Sequence, residues 1–274
     1  MIDLTRALKM ASSTDPGMVR SHNEDSLAID TDIGLAVLAD GMGGYNAGEV
    51  ASGIAVALIR EEVRKALADS DPSRSETSSV LRAVRVLREQ CTRANASIFQ
   101  SAQNQPQYAG MGTTLVTALF TDDQVTVAHI GDSRFYRLRG DSFEQITRDH
   151  SLLQEQIDSG MISKEDARHS MNKNLVTRAL GVDPEVETEI HSYEVLPDDI
   201  YLLCSDGLSD MIPEGEIHST LDTLKANLQL AADQLVQTAN DYGGRDNVSV
   251  VLVQVNERFP TDAGWISRFM SWLK

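Results

Sequence analysis

Cysteine is scarce in this chain, and its scarcity excludes a fold held together by disulfide bonds. The 274 residues include only Cys91 and Cys204. Each lies within an apolar pattern that suits a small buried side chain. We therefore expect both thiols to be reduced and buried, as is usual in a cytoplasmic protein.

Long apolar runs are also missing. One of the longest, residues 53–59, is far shorter than the roughly twenty residues that a membrane helix needs. Asp3, Arg6 and Lys9 interrupt the first stretch of the chain, which leaves no apolar core of signal-peptide length. The sequence predicts no transmembrane segment and a cytoplasmic location.

Basic residues are outnumbered by acidic ones. The chain has 24 Lys and Arg residues against 41 Asp and Glu residues, a formal net charge of −17. A surface with this balance repels phosphate backbones, so nucleic acid is not an expected partner. The acidic excess is typical of a well-solvated surface, and it is equally compatible with a few carboxylates gathered around cations.

Apolar spacing predicts helices in separate groups. Val50, Ile54 and Leu58 recur every four residues, and a second, longer helix has apolar residues spaced by three and four over residues 80–98. We expect these two helices to pack as an antiparallel pair. A late helix is predicted over residues 224–235, and the polar residues 149–180 are interpreted as a surface insertion of short helices.

Short apolar runs bounded by turn residues predict strands. These runs cover residues 35–39, 113–120, 125–130, 135–138, 200–204 and 248–255. The second, third and fourth are interpreted as a consecutive antiparallel meander. Antiparallel strands with grouped helices favour an α+β layered domain over a doubly wound parallel sheet.

Four aspartates flank predicted buried strands. Asp40, Asp132 and Asp206 follow strands, and Asp246 precedes the last one. Taken singly, an Asp beside Gly or Asn is most often explained by turn hydrogen bonds. Together, the four carboxylates can share one sheet edge, where bound cations would offset their repulsion. Oxygen ligands without His or Cys favour Mg²⁺ or Mn²⁺ over zinc.

A glycine-rich segment from Asp40 to Gly48 separates a predicted strand from a helix. A dinucleotide-binding fingerprint starting at Gly41 would require glycine at position 46, which is Asn46, and a P-loop would require a Gly-Lys pair. We therefore interpret the glycines as allowing close approach of the backbone to an ion held by Asp40, including through the Gly41 carbonyl.

Seven motifs occur in an order that resembles the type 2C metal-dependent serine/threonine protein phosphatases. They are Arg20-Ser-His-Asn-Glu-Asp25, Asp40-Gly-Met-Gly-Gly44 with Gly48-Glu-Val-Ala-Ser52, Gly112-Thr-Thr114, Gly131-Asp-Ser-Arg134 with Tyr136, Asp149-His-Ser151, Ser205-Asp-Gly207 and Asp246-Asn247. The resemblance covers about residues 15 to 255, and the short length is similar to that of the bacterial branch.

The resemblance implies a four-layer αββα sandwich, two antiparallel sheets flanked by antiparallel helix pairs, as a single domain over residues 1–258. A flap is implied at about 150–180. It also implies two Mn²⁺ or Mg²⁺ ions, with Asp40 bridging them, Gly41 offering its carbonyl, and Asp206 and Asp246 completing the ligands. By the same resemblance, Glu24 supports the metals, Arg20 binds the substrate phosphate, and Asp132 helps Asp206 to hold a third, weaker ion.

The implied reaction is hydrolysis of phosphoserine and phosphothreonine in proteins by a water or hydroxide that bridges the two ions. The expected partners are substrates of a cognate eukaryotic-like kinase, and the kinase itself, with the chain a monomer. Two alternatives stay open: a catalytically silent module that binds phosphopeptides, and a small-molecule phosphatase on the same fold.

The histidines that some relatives place near the site are absent here. Met42 and Tyr45 occupy those positions, so no general acid is assigned. His22 lies near the first motif. His129 lies within a predicted strand and is interpreted as a structural residue with its hydrogen bonds satisfied.

Residues 259–274 are predicted to form an amphipathic tail. One helical face carries Trp265, Ile266, Phe269, Trp272 and Leu273. We expect this face to pack back onto the domain; docking to a partner or shallow membrane contact is the alternative.

Overall fold

Two antiparallel sheets form the centre of the protein in a computed structural model, which describes residues 4–44, 47–69, 78–163, 166 and 175–259. The first sheet has the spatial order β1 (Leu8–Asp15), β11 (Val248–Val255), β10 (Ile200–Cys204), β7 (Arg134–Arg139) and β8 (Ser142–Gln145). The second has the order β2 (Asp25–Asp30), β3 (Leu35–Met42), β5 (Leu115–Thr121), β6 (Gln124–Ile130) and β9 (Glu189–Glu194), with β4 (Gly112–Thr113) paired to β3.

Several of the chain's few aromatic side chains pack between the two sheets. Tyr201 stacks on Phe135 with ring centroids 5.4 Å apart and meets Phe120 edge to face at 5.4 Å. Every residue of β10 is buried, because one face meets the other sheet and the other face meets helices. The continuous apolar run at 200–204 therefore predicts its strand correctly.

The first helix layer covers the outer face of the second sheet. It consists of α1 (Ala47–Ala68) and α2 (Ser79–Asn104). Near the start of α2, the Arg82 guanidinium donates to the Ala66 carbonyl at the end of α1 over 2.7 Å, and farther along Arg93 pairs with Glu62. The pair is therefore antiparallel, as predicted.

A second helix layer covers the first sheet. It contains α5 (Glu214–Leu224) and α6 (Leu228–Asp241), together with the single turn α4 (Asp206–Ser209). The predicted late helix is confirmed over residues 228–235, but Leu224 belongs to the preceding helix. Asn227 starts a new helix there, since its side-chain oxygen accepts a hydrogen bond from the Leu230 N–H.

The predicted three-stranded meander is also wrong. β5 and β6 pair antiparallel, but β7 belongs to the other sheet, where it pairs with β10 and β8. Gly131 has a φ of +103°, and a Cβ there would lie 2.7 Å from the Thr114 side chain. The chain thus crosses between sheets at Gly131-Asp132, because this glycine adopts a conformation and a packing distance that other residues rarely tolerate.

Both thiols are buried and unpaired, as expected. Of the insertion predicted at 149–180, the described part contains one short helix, α3 (Leu152–Asp158). Tyr45 and all of the predicted tail after residue 259 lie outside the described residues. Within the described ranges, none of the helices is both long and apolar enough to cross a membrane.

Candidate active site

The site begins with a pair of facing carboxylates on β2 and β3. Asp25 lies directly opposite Asp40 in the antiparallel register. The sequence predicts that the strand ends at Asp40, because Gly41 follows it. In the structure Asp40 lies inside β3, which continues to Met42. The Asp25 side chain accepts a hydrogen bond from Ser205 Oγ through Oδ2 at 2.8 Å, while its buried Oδ1 has no hydrogen-bond partner among the described residues.

The backbone at Asp40 is fixed by the Gly112-Thr-Thr114 motif. The Asp40 N–H donates to Thr114 Oγ1 at 3.0 Å, and the Asp40 carbonyl accepts from the Thr114 N–H at 2.9 Å and from Thr113 Oγ1 at 2.8 Å. Thr114 Oγ1 is also 2.7 Å from Ser133 Oγ, beside Asp132. Buried hydroxyl groups therefore connect the backbone of one aspartate to the loop that carries another.

Asp206 and Asp246 come from the first sheet. Asp206 opens α4 directly after β10, and Asp246 precedes β11. A Cβ at Gly207 would lie only 2.0 Å from the Asn247 carbonyl oxygen. The two loops are in contact because position 207 has no side chain, and that contact places both aspartates at the same edge.

Asn247 joins this edge to the segment that carries Arg20 and Glu24. Its Oδ1 accepts from the Glu24 N–H at 2.8 Å, and its Nδ2 donates to the Pro16 and His22 carbonyls at 2.9 and 2.8 Å. Asn247 is 5% exposed, so these bonds are shielded from water. The amide fixes the loop of residues 16–24 over the ends of β10 and β11.

The carboxylates are close enough to disfavour each other's charge. Burial raises the pKa of Asp40 and Asp206 well above their ordinary range, and nearby carboxylates raise them further, Asp25 first for Asp40 and Asp132 first for Asp206. Burial likewise raises the pKa of Asp25 and of Asp132, each to about 6. Oxygen-only ligands of this charge density fit hard dications, which would offset the repulsion.

Arg20 lies at the rim of this cluster. Its guanidinium donates to Asp246 Oδ2 at 2.7 Å while 51% of its side chain remains exposed. Its salt-bridge partner is therefore Asp246, 226 positions away in the sequence, and not the neighbouring acidic residues Glu24 and Asp25. The hydrogen bond to Asp246 raises the pKa of Arg20, with smaller contributions from Glu24 and Asp40. A planar cation therefore faces solvent beside the carboxylates.

Gly41 and Gly48 allow the backbone to pack closely around Glu24. A Cβ at Gly41 would lie 2.2 Å from the Gly48 carbonyl oxygen and 2.6 Å from the Glu24 carbonyl oxygen, and one at Gly48 would lie 2.7 Å from Glu24 Oε1. Burial raises the pKa of Glu24, whereas Arg20 and the Gly48 backbone lower it. Helix α1 thus starts against the Glu24 segment at a distance that only glycine permits.

Comparison with known proteins agrees with this geometry. The sequence model of the protein phosphatase 2C family matches residues 19–247. The chain belongs to this family. The serine/threonine phosphatase stp of Listeria welshimeri is 40% identical over 249 residues, which cover 89% of this chain and 94% of the relative.

Solved structures of the family share the fold. The Mycobacterium tuberculosis serine/threonine phosphatase PstP/Ppp matches with a TM-score of 0.79 at 36% identity, over 91% of this chain and 99% of that one. A structure of the PstP catalytic domain in complex with two manganese ions matches with a TM-score of 0.75 at 37% identity, again over 91% and 99%. The predicted α+β sandwich of two antiparallel sheets is confirmed.

The structure brings two further acidic residues, Asp25 and Asp210, to the carboxylate cluster. The sequence motifs alone gave neither of them a role. Asp25 stood inside a quoted motif, and its pairing with Asp40 became visible only through the β2–β3 register. Asp210 raises the pKa of both Asp132 and Asp206. The signal for Asp210 is its spacing four residues after Asp206, one helical turn along the chain.

His129 differs from its prediction as a satisfied structural residue. It is 2% exposed, and neither ring nitrogen has a hydrogen-bond partner among the described residues. Its ring lies against that of His150, with centroids 4.7 Å apart.

Proposed function

We propose that this chain hydrolyses phosphoserine and phosphothreonine in proteins with the help of two Mn²⁺ or Mg²⁺ ions. One observation carries the proposal: aspartates from both sheets meet at one edge, beside a half-exposed arginine. The family's phosphatase relatives and the two manganese ions of the PstP structure agree with it.

Each site residue has a proposed place in metal binding. Asp40 would be shared by the two ions, the Gly41 carbonyl would be a ligand, and Asp206 and Asp246 would complete the set. Glu24 would support the ions, and Asp132 with Asp206 would hold a third, weaker one. Asp40, Asp206 and Asp246 are partly exposed at the edge, as ligands must be. The bound dications would neutralise phosphate charge and lower the pKa of water, which slow phosphate-ester hydrolysis requires.

The protein residues position the substrate. Arg20 presents a planar fork of donors that matches phosphate oxygens, a geometry that lysine does not offer. Its hydrogen bond to Asp246 orients the guanidinium beside the cluster before substrate binds. Asp25 is a positioning residue: it lies opposite Asp40 in the β2–β3 register, and its bond to Ser205 Oγ connects β2 to the residue that precedes Asp206.

The remaining parts of the proposal concern context. Residues 1–258 form one phosphatase domain with a flap at about 150–180, followed by a tail at 259–274. The enzyme acts in the bacterial cytoplasm as a monomer, on substrates of a cognate Ser/Thr kinase and on the kinase itself. Relatives named as bacterial serine/threonine phosphatases support this context.

Two alternatives differ in what the site does. A silent phosphopeptide-binding module is disfavoured because all the proposed metal carboxylates are present. A small-molecule phosphatase would use the same site. The purified chain with Mn²⁺ should hydrolyse phosphothreonine peptides with a kcat/KM well above that for small phosphate monoesters of metabolites. The opposite ranking would favour the small-molecule alternative, and peptide binding without turnover would favour the silent module.

A further inference from the structure

A buried histidine outside the carboxylate cluster holds the residue that precedes Asp132. The His150 N–H donates to the Gly131 carbonyl at 2.8 Å, and the Gly131 N–H donates to His150 Nδ1 at 3.2 Å. These two bonds hold the peptide groups on either side of the Gly131 Cα. They therefore restrain both backbone dihedral angles of the residue that leads into Asp132.

The restraint matters because the restrained residue is a glycine. Gly131 has a φ of +103°, and glycine has more backbone freedom to lose than any other residue. On the other side of Asp132, Ser133 Oγ lies 2.7 Å from Thr114 Oγ1. Asp132 is thus held from both of its neighbours, by His150 on one side and by a hydroxyl contact on the other.

Glu189 on β9 selects the tautomer that His150 needs. His150 Nε2 is 3.1 Å from Glu189 Oε2. Since the carboxylate accepts, the ring proton lies on Nε2, and Nδ1 keeps the lone pair that accepts from the Gly131 N–H. Burial lowers the pKa of His150, which favours the neutral ring that this arrangement requires.

The backbone and the ring of His150 are themselves anchored. The His150 carbonyl accepts from the Thr177 N–H at 2.8 Å, and the next residue, Ser151, pairs with Val176 in an antiparallel bridge. The ring of His150 is buried against that of His129, with centroids 4.7 Å apart. A side chain anchored in this way can fix the position of another residue.

We propose that His150 is a positioning residue for Asp132, which it holds in place through its two bonds to Gly131. The inference rests on the proposed function, in which Asp132 and Asp206 would hold the third, weaker ion. Both ring nitrogens of His150 are engaged by Gly131 and Glu189, so the histidine acts on this ion only through the backbone before Asp132. Loss of an outer hydrogen bond that orients a metal ligand typically lowers metal affinity by 10- to 100-fold.

Two substitutions separate the two bonds of the ring. His150→Asn places an amide oxygen near the position of Nδ1 and keeps an acceptor for the Gly131 N–H, whereas His150→Gln places its amide near Nε2 and keeps a donor for Glu189. Titration calorimetry of the full chain with Mn²⁺ measures each affinity, and Asp132→Asn identifies the ion that depends on Asp132. His150→Gln should weaken this ion at least about tenfold, and His150→Asn should keep its affinity within about threefold.

The matched control is His191→Gln. His191 Nε2 also bonds to Glu189, at 2.9 Å from Oε1, but His191 is opposite Val127 and its side chain is 57% exposed. This control should leave Mn²⁺ affinity unchanged. Hydrolysis of a phosphothreonine peptide by the wild type is measured separately, so that failure of the phosphatase proposal is distinguishable from failure of this one.

Equal Mn²⁺ binding by the wild type and Asp132→Asn, or equal affinities in His150→Gln and His150→Asn, would overturn the proposal. Glu189→Ala, at a half-exposed position, provides a second variant if His150→Gln does not fold. It removes the acceptor that selects the His150 tautomer and should weaken the same ion at least about threefold. Unchanged affinity in Glu189→Ala is then the overturning result.

Discussion

Asp25 and Asp40 face each other across the β2–β3 pair, and one oxygen of Asp25 has no hydrogen-bond partner among the described residues. Burial raises the pKa of both carboxyl groups, and nearby charges raise them further, Asp25 for Asp40 and Asp246 for Asp25. Such an arrangement is unfavourable by itself and favourable around cations. The clustered carboxylates therefore lower the stability of the metal-free protein, and bound metal restores it. This coupling between metal binding and stability can be measured.

Asp25→Asn should separate stability from metal binding. Because the amide removes one buried negative charge, we expect the metal-free variant to melt at the same or a higher temperature than the wild type. We expect a smaller increase in melting temperature on addition of Mn²⁺, since Asp40 loses its charged neighbour. Thermal unfolding with a chelator and with Mn²⁺ measures both effects. A lower metal-free melting temperature with an unchanged Mn²⁺ effect would contradict this account.

The stability of the metal-free protein should depend on pH through the same carboxylates. A carboxyl whose folded pKa is raised binds more protons in the folded state between its unfolded and folded pKa values, so stability falls as pH rises through that window. For Asp25 and Asp132, the window runs from 3.8 to about 6. Each rise corresponds to on the order of 3 kcal/mol.

Denaturant unfolding at several pH values between about 4 and 7 measures this dependence. Asp132→Asn should flatten the curve for the metal-free protein, because one of the titrating groups is gone. Saturating Mn²⁺ should reverse the trend, since protons then compete with the cation. A metal-free protein that becomes more stable from pH 4 to pH 6 would be inconsistent with these raised pKa values.

Arg20→Lys should lower kcat/KM for a phosphothreonine peptide by about 10- to 100-fold. Hydrogen bonds to charged groups contribute about 1.5–3 kcal/mol, and lysine lacks the planar fork. The matched control is Arg88→Lys on the exposed face of α2, which should leave kcat/KM unchanged. If Arg20→Lys and Arg88→Lys behave alike, Arg20 does not bind the phosphate.

Gly207→Ala should damage both stability and activity. The added Cβ would meet the Asn247 carbonyl at 2.0 Å and force the Asp206 and Asp246 loops apart. Crowding of this kind costs typically about 1–3 kcal/mol. Gly215→Ala is the matched control, because a Cβ there meets nothing within 4 Å and alanine favours the helix. Denaturant unfolding should show a loss for the first variant and no loss for the second.

Much of the fold follows from local pattern. Continuous apolar runs predicted β10 and β11, and regular spacing predicted α2, because burial on one or two faces leaves a direct trace in the sequence. The crossing at Gly131 does not leave such a trace. Strands β6 and β7 are consecutive and apolar, and only their pairing in the folded chain shows that they belong to different sheets.

The candidate site was predicted through its carboxylates, and its supporting residues were not. Asp40, Asp206 and Asp246 stand out because each directly flanks an apolar strand pattern. Asp25 becomes significant only through strand register, and Asn247 only through bonds to residues more than two hundred positions away. Register and long-range hydrogen bonds are properties of the folded chain, so sequence spacing does not reveal them.

Metal-dependent hydrolysis of a phosphothreonine peptide by Asp40→Asn tests the central claim most directly. The matched control is Asp141→Asn, which neutralises an exposed aspartate between β7 and β8. We expect Mn²⁺-dependent turnover in the wild type and the control, none with a chelator, and a loss of at least about a hundredfold in Asp40→Asn. Turnover that survives the chelator, or full activity in Asp40→Asn, would contradict the account.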